Sequence, residues 1–162
     1  FEHLTNLKDR VMEKNPKCGE RIFVFRGYQD DFAYAIQMAS DFYMMPSRFE
    51  PCGLTQMEAM AKGALPVAMS TGGLVDTIDG FRTEVFFSSH KRRVYGNNLT
   101  AQRLKNNTNA YAETLCKALE TFYCHFDKIR RMTVNAMRKD FSWDVEGGSI
   151  YKYRQLFKTG HL

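Results

Sequence analysis

Metal-ligand spacing is missing from this sequence. Cysteines stand at 18, 52, 116 and 124 with no C-x-x-C pair, and His3, His90, His125 and His161 fall at no ligand spacing. A tetrahedral zinc site is therefore not expected. No stretch approaches the roughly 18 uninterrupted apolar residues of a membrane span, and no charged-then-apolar amino terminus suggests a signal peptide, so a soluble chain is expected. A clustered basic stripe is lacking too. The formal charge of +5 favours anionic partners such as phosphates but falls short of a nucleic-acid binder, and the one basic triplet, Lys91-Arg92-Arg93, reads as a solvated loop. Internal repeats and low-complexity tracts are absent. A chain of 162 residues needs no disulfide staples. Cys116 and Cys124 fall on an apolar helical face, which predicts reduced core thiols and a reducing compartment.

What the sequence does contain is enough for one ordinary core: 44% of residues are hydrophobic and 25% charged. A single domain over 1–162 is expected. Leu4, Leu7, Val11 and Met12 recur at helical spacing until Asn15-Pro16-Lys17-Cys18-Gly19 stops them. Arg21 to Arg26 reads as a strand, and Asp30 or Asp31 can cap a helix carrying Phe32, Ala35, Ile36 and Ala39. Asp41–Pro46 reads as a buried strand, a helix follows to about Lys62, and Ala64–Met69 is a third strand. Thr71-Gly72-Gly73 turns into a short helix, and Phe81–Phe87 can supply another strand. Residues 88–109 are polar, basic and rich in asparagine, and read as an irregular excursion. Tyr111–Phe126 and Asp127–Lys139 are amphipathic helices, and a last helix is expected over 140–158. Alternating strands and helices predict an α/β fold, a Rossmann-like open parallel sheet flanked by helices, with further helices at the carboxyl end.

In such a sheet, ligands bind outside the carboxyl ends of the strands, at loops leading into helices. Arg48-Phe49-Glu50-Pro51-Cys52-Gly53-Leu54 is one such loop. Gly53 lets the backbone approach a ligand closely, and the unpaired N–H groups of the following helix start favour phosphate. A carboxylate at Glu50 would repel that phosphate but can accept hydrogen bonds from neutral hydroxyls nearby, as a sugar bound through a diphosphate presents. The bland alternative is a surface ion pair with Arg48, worth ~0 to 1 kcal/mol, which leaves Pro51-Cys52-Gly53 unexplained. Thr55 and Glu58 match a helix capping box that needs no ligand. Thr71-Gly72-Gly73-Leu74 offers either a second amide-lined turn or a simple tight turn.

Together, Pro46-Ser47-Arg48-Phe49-Glu50-Pro51-Cys52-Gly53-Leu54, then Ala59-Met60-Ala61-Lys62-Gly63 with Pro66-Val67, then Ser70-Thr71-Gly72-Gly73-Leu74-Val75-Asp76-Thr77, closely resemble the glycogen and starch synthase family. Gly27-Tyr28 and Asp140-Phe141-Ser142-Trp143 agree in order, so the similarity spans roughly Gly27 to Phe157. The resemblance implies the second domain of a GT-B glycosyltransferase. It implies that Glu50 is the active-site glutamate holding the donor glucose, and that Cys52, Gly53, Leu54 and Thr55 meet the sugar and diphosphate. It further implies that Tyr28 stacks on the base and that Thr71, Gly72 and Gly73 line the same cleft. Glu58, eight positions after Glu50, resembles the second glutamate of related retaining enzymes, where it contacts the ribose, so it stands open between ribose ligand and cap. The implied donor is ADP-glucose or UDP-glucose, the acceptor an α-glucan, the setting cytosol or plastid, and no metal or further cofactor is expected, since no D-x-D sequence occurs.

Departures accompany the match. The family's diphosphate-binding arginine and lysine, five positions apart, have no R-x-x-x-x-K counterpart here and are expected upstream of Phe1. The first domain's lysine-glycine-glycine motif is absent, so an amino-terminal GT-B domain of the same polypeptide is the expected partner, and the chain alone is expected to be inactive. Asp79-Gly80-Phe81-Arg82-Thr83-Glu84 stands where a Gly-Glu-Thr-Gly-Phe turn is common. Another GT-B retaining glycosyltransferase and a non-catalytic binding module using the basic loop remain the alternatives.

Overall fold

β-rich and helical periodicities alternate along most of the chain, and a computed structural model turns them into three strands and eight helices among the residues it describes. These are 2–27, 29–78, 86–88, 101–146 and 148–159, with side chains described except at 86–88, 101–107 and 159. They divide into two compact units, Phe1–Tyr34 and Ala35–Leu162.

In the first unit, α1 (Glu2–Lys14) ends at Asn15, whose side chain accepts a hydrogen bond from the Cys18 N–H and caps a one-turn helix α2 (Pro16–Gly19) with Pro16 in its first turn. Arg21–Arg26 was expected as a strand and is not one: it has no ladder partner among the described residues. β propensity expresses fit to a pleated neighbour, and without that neighbour the residues stay irregular. Phe23 and Phe25 instead set their rings edge-on to Phe32, at 6.5 and 5.1 Å, where α3 (Asp30–Ala39) begins.

The second unit holds a parallel sheet in the order β1 (Phe42–Met45), β2 (Leu65–Met69), β3 (Phe86–Ser88). Every residue of central β2 is buried, as its unbroken apolar run requires. Pro66 is tolerated there for a directional reason. The Leu65 N–H points to β1, donating to Asp41 O at 2.9 Å, so the N–H that Pro66 lacks would face the opposite side. On that side the described pairing with β3 starts only at Val67, opposite Phe86.

α4 (Thr55–Ala61), α6 (Ala101–Cys124) and α7 (Phe126–Arg138) pack on the sheet, and α5 (Leu74–Thr77) follows β2. Met60, Leu65, Ala68 and Leu74 from the strands and short helices meet Ile129, Met132 and Ala136, which recur at helical spacing on α7. Each large side chain so buried stabilises the fold by about 1.5–3 kcal/mol before entropy is counted. Tyr111 on α6 donates its hydroxyl to Val67 O at 2.8 Å, and burial pushes the phenol up to about 12.

Three further expectations fail. Residues 101–109 are helical as the start of α6, and only 89–100 of the expected excursion lies outside the described residues. Ala101, Gln102, Arg103, Leu104 and Lys105 are all good helix formers, and the long helix they open absorbs the three asparagines behind them. The last helix, α8 (Ser149–Thr159), begins nine residues after Asp140. Asp140 instead accepts a hydrogen bond from the Ser142 N–H at 2.8 Å, an Asx turn, and the Trp143 carbonyl accepts from Ile150 N–H at 2.9 Å. Ser142 also holds the Asp140 carboxyl below its usual range. The four cysteines are free thiols, but Cys116 and Cys124 are exposed rather than core. Among the described residues no helix is long and apolar enough to cross a membrane.

Candidate functional site

β1 and β2 are adjacent and parallel, so the loops that leave their carboxyl ends, residues 46–54 and 70–73, emerge side by side. Hydrogen bonds join them. The Gly73 N–H donates to Glu50 O at 2.8 Å, and buried Thr71 reaches Arg48 O with its hydroxyl at 3.4 Å. Glycine is required at this seam. Gly72 has φ +50°, and a Cβ there would stand 2.8 Å from the Glu50 carbonyl carbon with the oxygen closer still; a Cβ on Gly73 would lie 2.5 Å from Cys52 Cα. Gly53 has φ +74°.

Glu50 is half-buried, and its carboxylate has one hydrogen bond among the described residues, from Ser47 Oγ at 3.4 Å. It forms no ion pair among them, so the Arg48 alternative is not realised. Cys52, Leu54 and Thr55 are exposed beside it, and the N–H groups of Gly53, Leu54 and Thr55 meet no acceptor among the described residues. The arrangement offers an anionic acceptor for hydroxyls next to free backbone donors for an anion. The structure thus brings together Glu50, Cys52, Gly53, Leu54, Thr55, Thr71, Gly72 and Gly73, while Tyr28 lies outside the described residues.

The capping box at Thr55 and Glu58 does not form. Leu54 is the N-cap of α4, and no side chain caps it. Glu58 instead accepts a hydrogen bond from buried Gln37 of α3 at 3.4 Å and lies 4.0 Å from Lys62, whose ammonium also bonds Gln37 Oε1.

Sequence reasoning missed Gln56. It is fully buried beneath the loop, and Nε2 donates to Gly53 O and, at 2.9 Å, to Thr77 Oγ1. The Thr77 hydroxyl donates a hydrogen bond to Gly73 O at 3.1 Å. Gln56 Oε1 is the buried side-chain atom without a partner among the described residues. One signal was available: Gln56, Ala59 and Met60 lie at i, i+3 and i+4, so a polar residue interrupts the buried stripe of α4.

A half-buried carboxylate and two interlocked glycine turns thus stand together at the carboxyl ends of adjacent parallel strands, and comparison with known proteins gives the class. The chain belongs to the glycosyl transferases group 1, whose family description matches residues 4–120. Among curated relatives, a glycogen synthase of Desulfitobacterium hafniense is 34% identical over 139 residues, covering 86% of this chain and 27% of the relative. A glycogen synthase of Bacillus subtilis is also 34% identical over 139 residues, covering 86% and 26%. The catalytic domain of starch synthase IV from Arabidopsis thaliana, solved bound to ADP and acarbose, aligns with a TM-score of 0.68 at 26% identity, over 98% of this chain and 30% of that one. The chain therefore spans about a quarter of the length of these curated relatives. The Rossmann-like GT-B expectation agrees with this likeness.

Proposed function

We propose that this chain is the donor-binding part of an α-glucan synthase, which transfers glucose from ADP-glucose or UDP-glucose to the 4-hydroxyl of an α-1,4-glucan with retention. The observation that carries this reading is the hydrogen bond from Gly73 N–H to Glu50 O, which fixes a lightly bonded carboxylate beside two glycine turns. Glu50 holds hydroxyls of the donor glucose and stabilises positive charge at the anomeric carbon as the bond to the diphosphate breaks. Backbone donors at Gly53, Leu54 and Thr55 and the Thr71-Gly72-Gly73 turn receive the diphosphate, and Tyr28 stacks on the base. The basic pair comes from an earlier loop of this same domain and the rest of the cleft from an amino-terminal GT-B domain of the same polypeptide, so the chain alone does not turn over. No metal or further cofactor takes part, and the compartment is the cytosol or a plastid.

A second reading, another retaining GT-B transferase with a different donor, draws on the eight-residue spacing of Glu50 and Glu58. Titration of the full-length protein with a panel of donors varying base and sugar tests both. Glucose nucleotides should bind best, and Glu50→Ala should weaken them; no nucleotide affinity in the full-length protein would defeat the whole proposal.

A further inference from the structure

We infer that Gln56 is a positioning residue for the donor site: its buried amide aims the backbone donors of one turn and ties that turn to the one beneath Glu50. The inference rests on the donor-site reading above and adds a residue that never touches the substrate.

The orientation of the amide follows from its neighbours. The Thr77 hydroxyl donates its hydrogen bond to Gly73 O, so toward Gln56 its Oγ1 accepts, and the group facing it is the Gln56 NH2. Gly53 O and, at the 3.5 Å limit, Cys52 O also face that nitrogen. Rotating the amide by half a turn would set Oε1 against these acceptors. The two hydrogens of the amide serve Gly53 O and Thr77 Oγ1, and Oε1 is left without a partner among the described residues as the consequence.

A trans peptide holds its C=O and N–H on opposite sides, and no cis bond occurs among the described residues. Drawing the Cys52 and Gly53 carbonyls down to Gln56 therefore turns the N–H groups of Gly53 and Leu54 away from the core. Those are the donors left without an acceptor in the loop. The same nitrogen reaches Gly73 O through Thr77, while Gly73 N–H holds Glu50 O. One side chain thereby governs both the free amides and the backbone of the acid. Gly53 leaves room for it, since a Cβ there would stand 2.5 Å from Gln56 Oε1.

The test uses the full-length protein with Gln56→Met, which keeps length and volume but donates nothing, and Gln56→Glu. Gln56→Met should raise the dissociation constant for the nucleoside diphosphate and the donor KM by about tenfold, one charge-assisted hydrogen bond's worth. Acceptor KM should stay within about twofold, and Tm within a few degrees. Gln56→Glu should be impaired at neutral pH and recover as pH falls, because a protonated carboxyl can donate to Gly53 O where a carboxylate repels it. A role in packing alone would lower Tm and reduce kcat without separating donor from acceptor KM, and would overturn the inference. So would an unchanged donor KM in Gln56→Met. Should Gln56→Met fail to fold, the pH response of Gln56→Glu decides, together with Thr77→Val, which cuts the relay to Gly73 and should weaken donor binding in the same direction. If Glu50→Ala weakens the donor and the Gln56 variants do not, this inference alone falls; if the wild-type protein binds no nucleotide, both readings fall.

Discussion

Gly72→Ala is the sharpest probe of the joined turns. Three effects add. An alanine at φ +50° costs about 1 kcal/mol or more in the left-handed region. Its Cβ would stand 2.8 Å from the Glu50 carbonyl carbon, 0.6 Å inside the 3.4 Å at which ordinary contact begins, and closer to the oxygen. Backbone cannot swing aside as a side chain can, so relief requires moving the Glu50 loop, a strain of about 1–3 kcal/mol. Moving it breaks the 2.8 Å bond from Gly73 N–H, worth about 1 kcal/mol. We expect roughly 3–5 kcal/mol of destabilisation, a fall in Tm on the order of 10 °C, and, in the full-length protein, a loss of glucosyl transfer approaching 10²-fold from displacing Glu50 by under an ångström or so. Gly63→Ala is the matched control. Gly63 also has a positive φ, +92°, but its Cβ would meet Met137 Sδ at 3.5 Å and Thr133 Cγ2 at 3.7 Å, which is ordinary contact. It should show the backbone cost alone, about 1 kcal/mol, and full transfer activity. Differential scanning calorimetry and donor kinetics on both variants give the answer. Equal effects from the two, or a Gly72→Ala enzyme with unchanged Tm and donor KM, would refute the claim that the Glu50 loop is locked by this turn.

Two further outcomes are expected. The Tyr111 phenol ionises near 10 in the unfolded chain and about 12 in the folded one, so its contribution is intact below pH 10 and is lost as pH rises through 12; for a half-exposed group this amounts to about 1 kcal/mol, and Tyr111→Phe should flatten the alkaline limb of stability against pH. Glu58→Ala should cost under ~1 kcal/mol and leave donor KM within about twofold, because its ties to Gln37 at 3.4 Å and Lys62 at 4.0 Å are long and partly exposed; a tenfold rise in donor KM would instead place Glu58 on the ribose.

What could be read from sequence was what local pattern determines. The apolar runs at 42–45 and 65–69 and the glycines at 53, 72 and 73 placed two strands and two turns, and with them the backbone of the site. What escaped depended on partners distant in the chain. Arg21–Arg26 has strand composition, yet composition does not supply a neighbour to pair with. The capping box at Thr55 and Glu58 had the right spacing, but α4 starts from Leu54 with no side-chain cap, and Glu58 turned to Gln37, 21 residues away. Asparagines at 106, 107 and 109 suggested a loop where a 24-residue helix runs. Gln56 was hidden for the same reason: a glutamine three residues into a loop-to-helix junction acquires meaning only when Thr77 is folded against it.

The exposed thiol of Cys52 gives the chain a built-in reporter. It stands two residues from Glu50, with its sulfur 3.9 Å from Gly53 O, in the loop proposed to receive the donor. With Cys18, Cys116 and Cys124 changed to serine, a single fluorophore attached there through a thioether would change its emission as a ligand settles beside it, turning occupancy into an optical signal that needs no turnover and no acceptor.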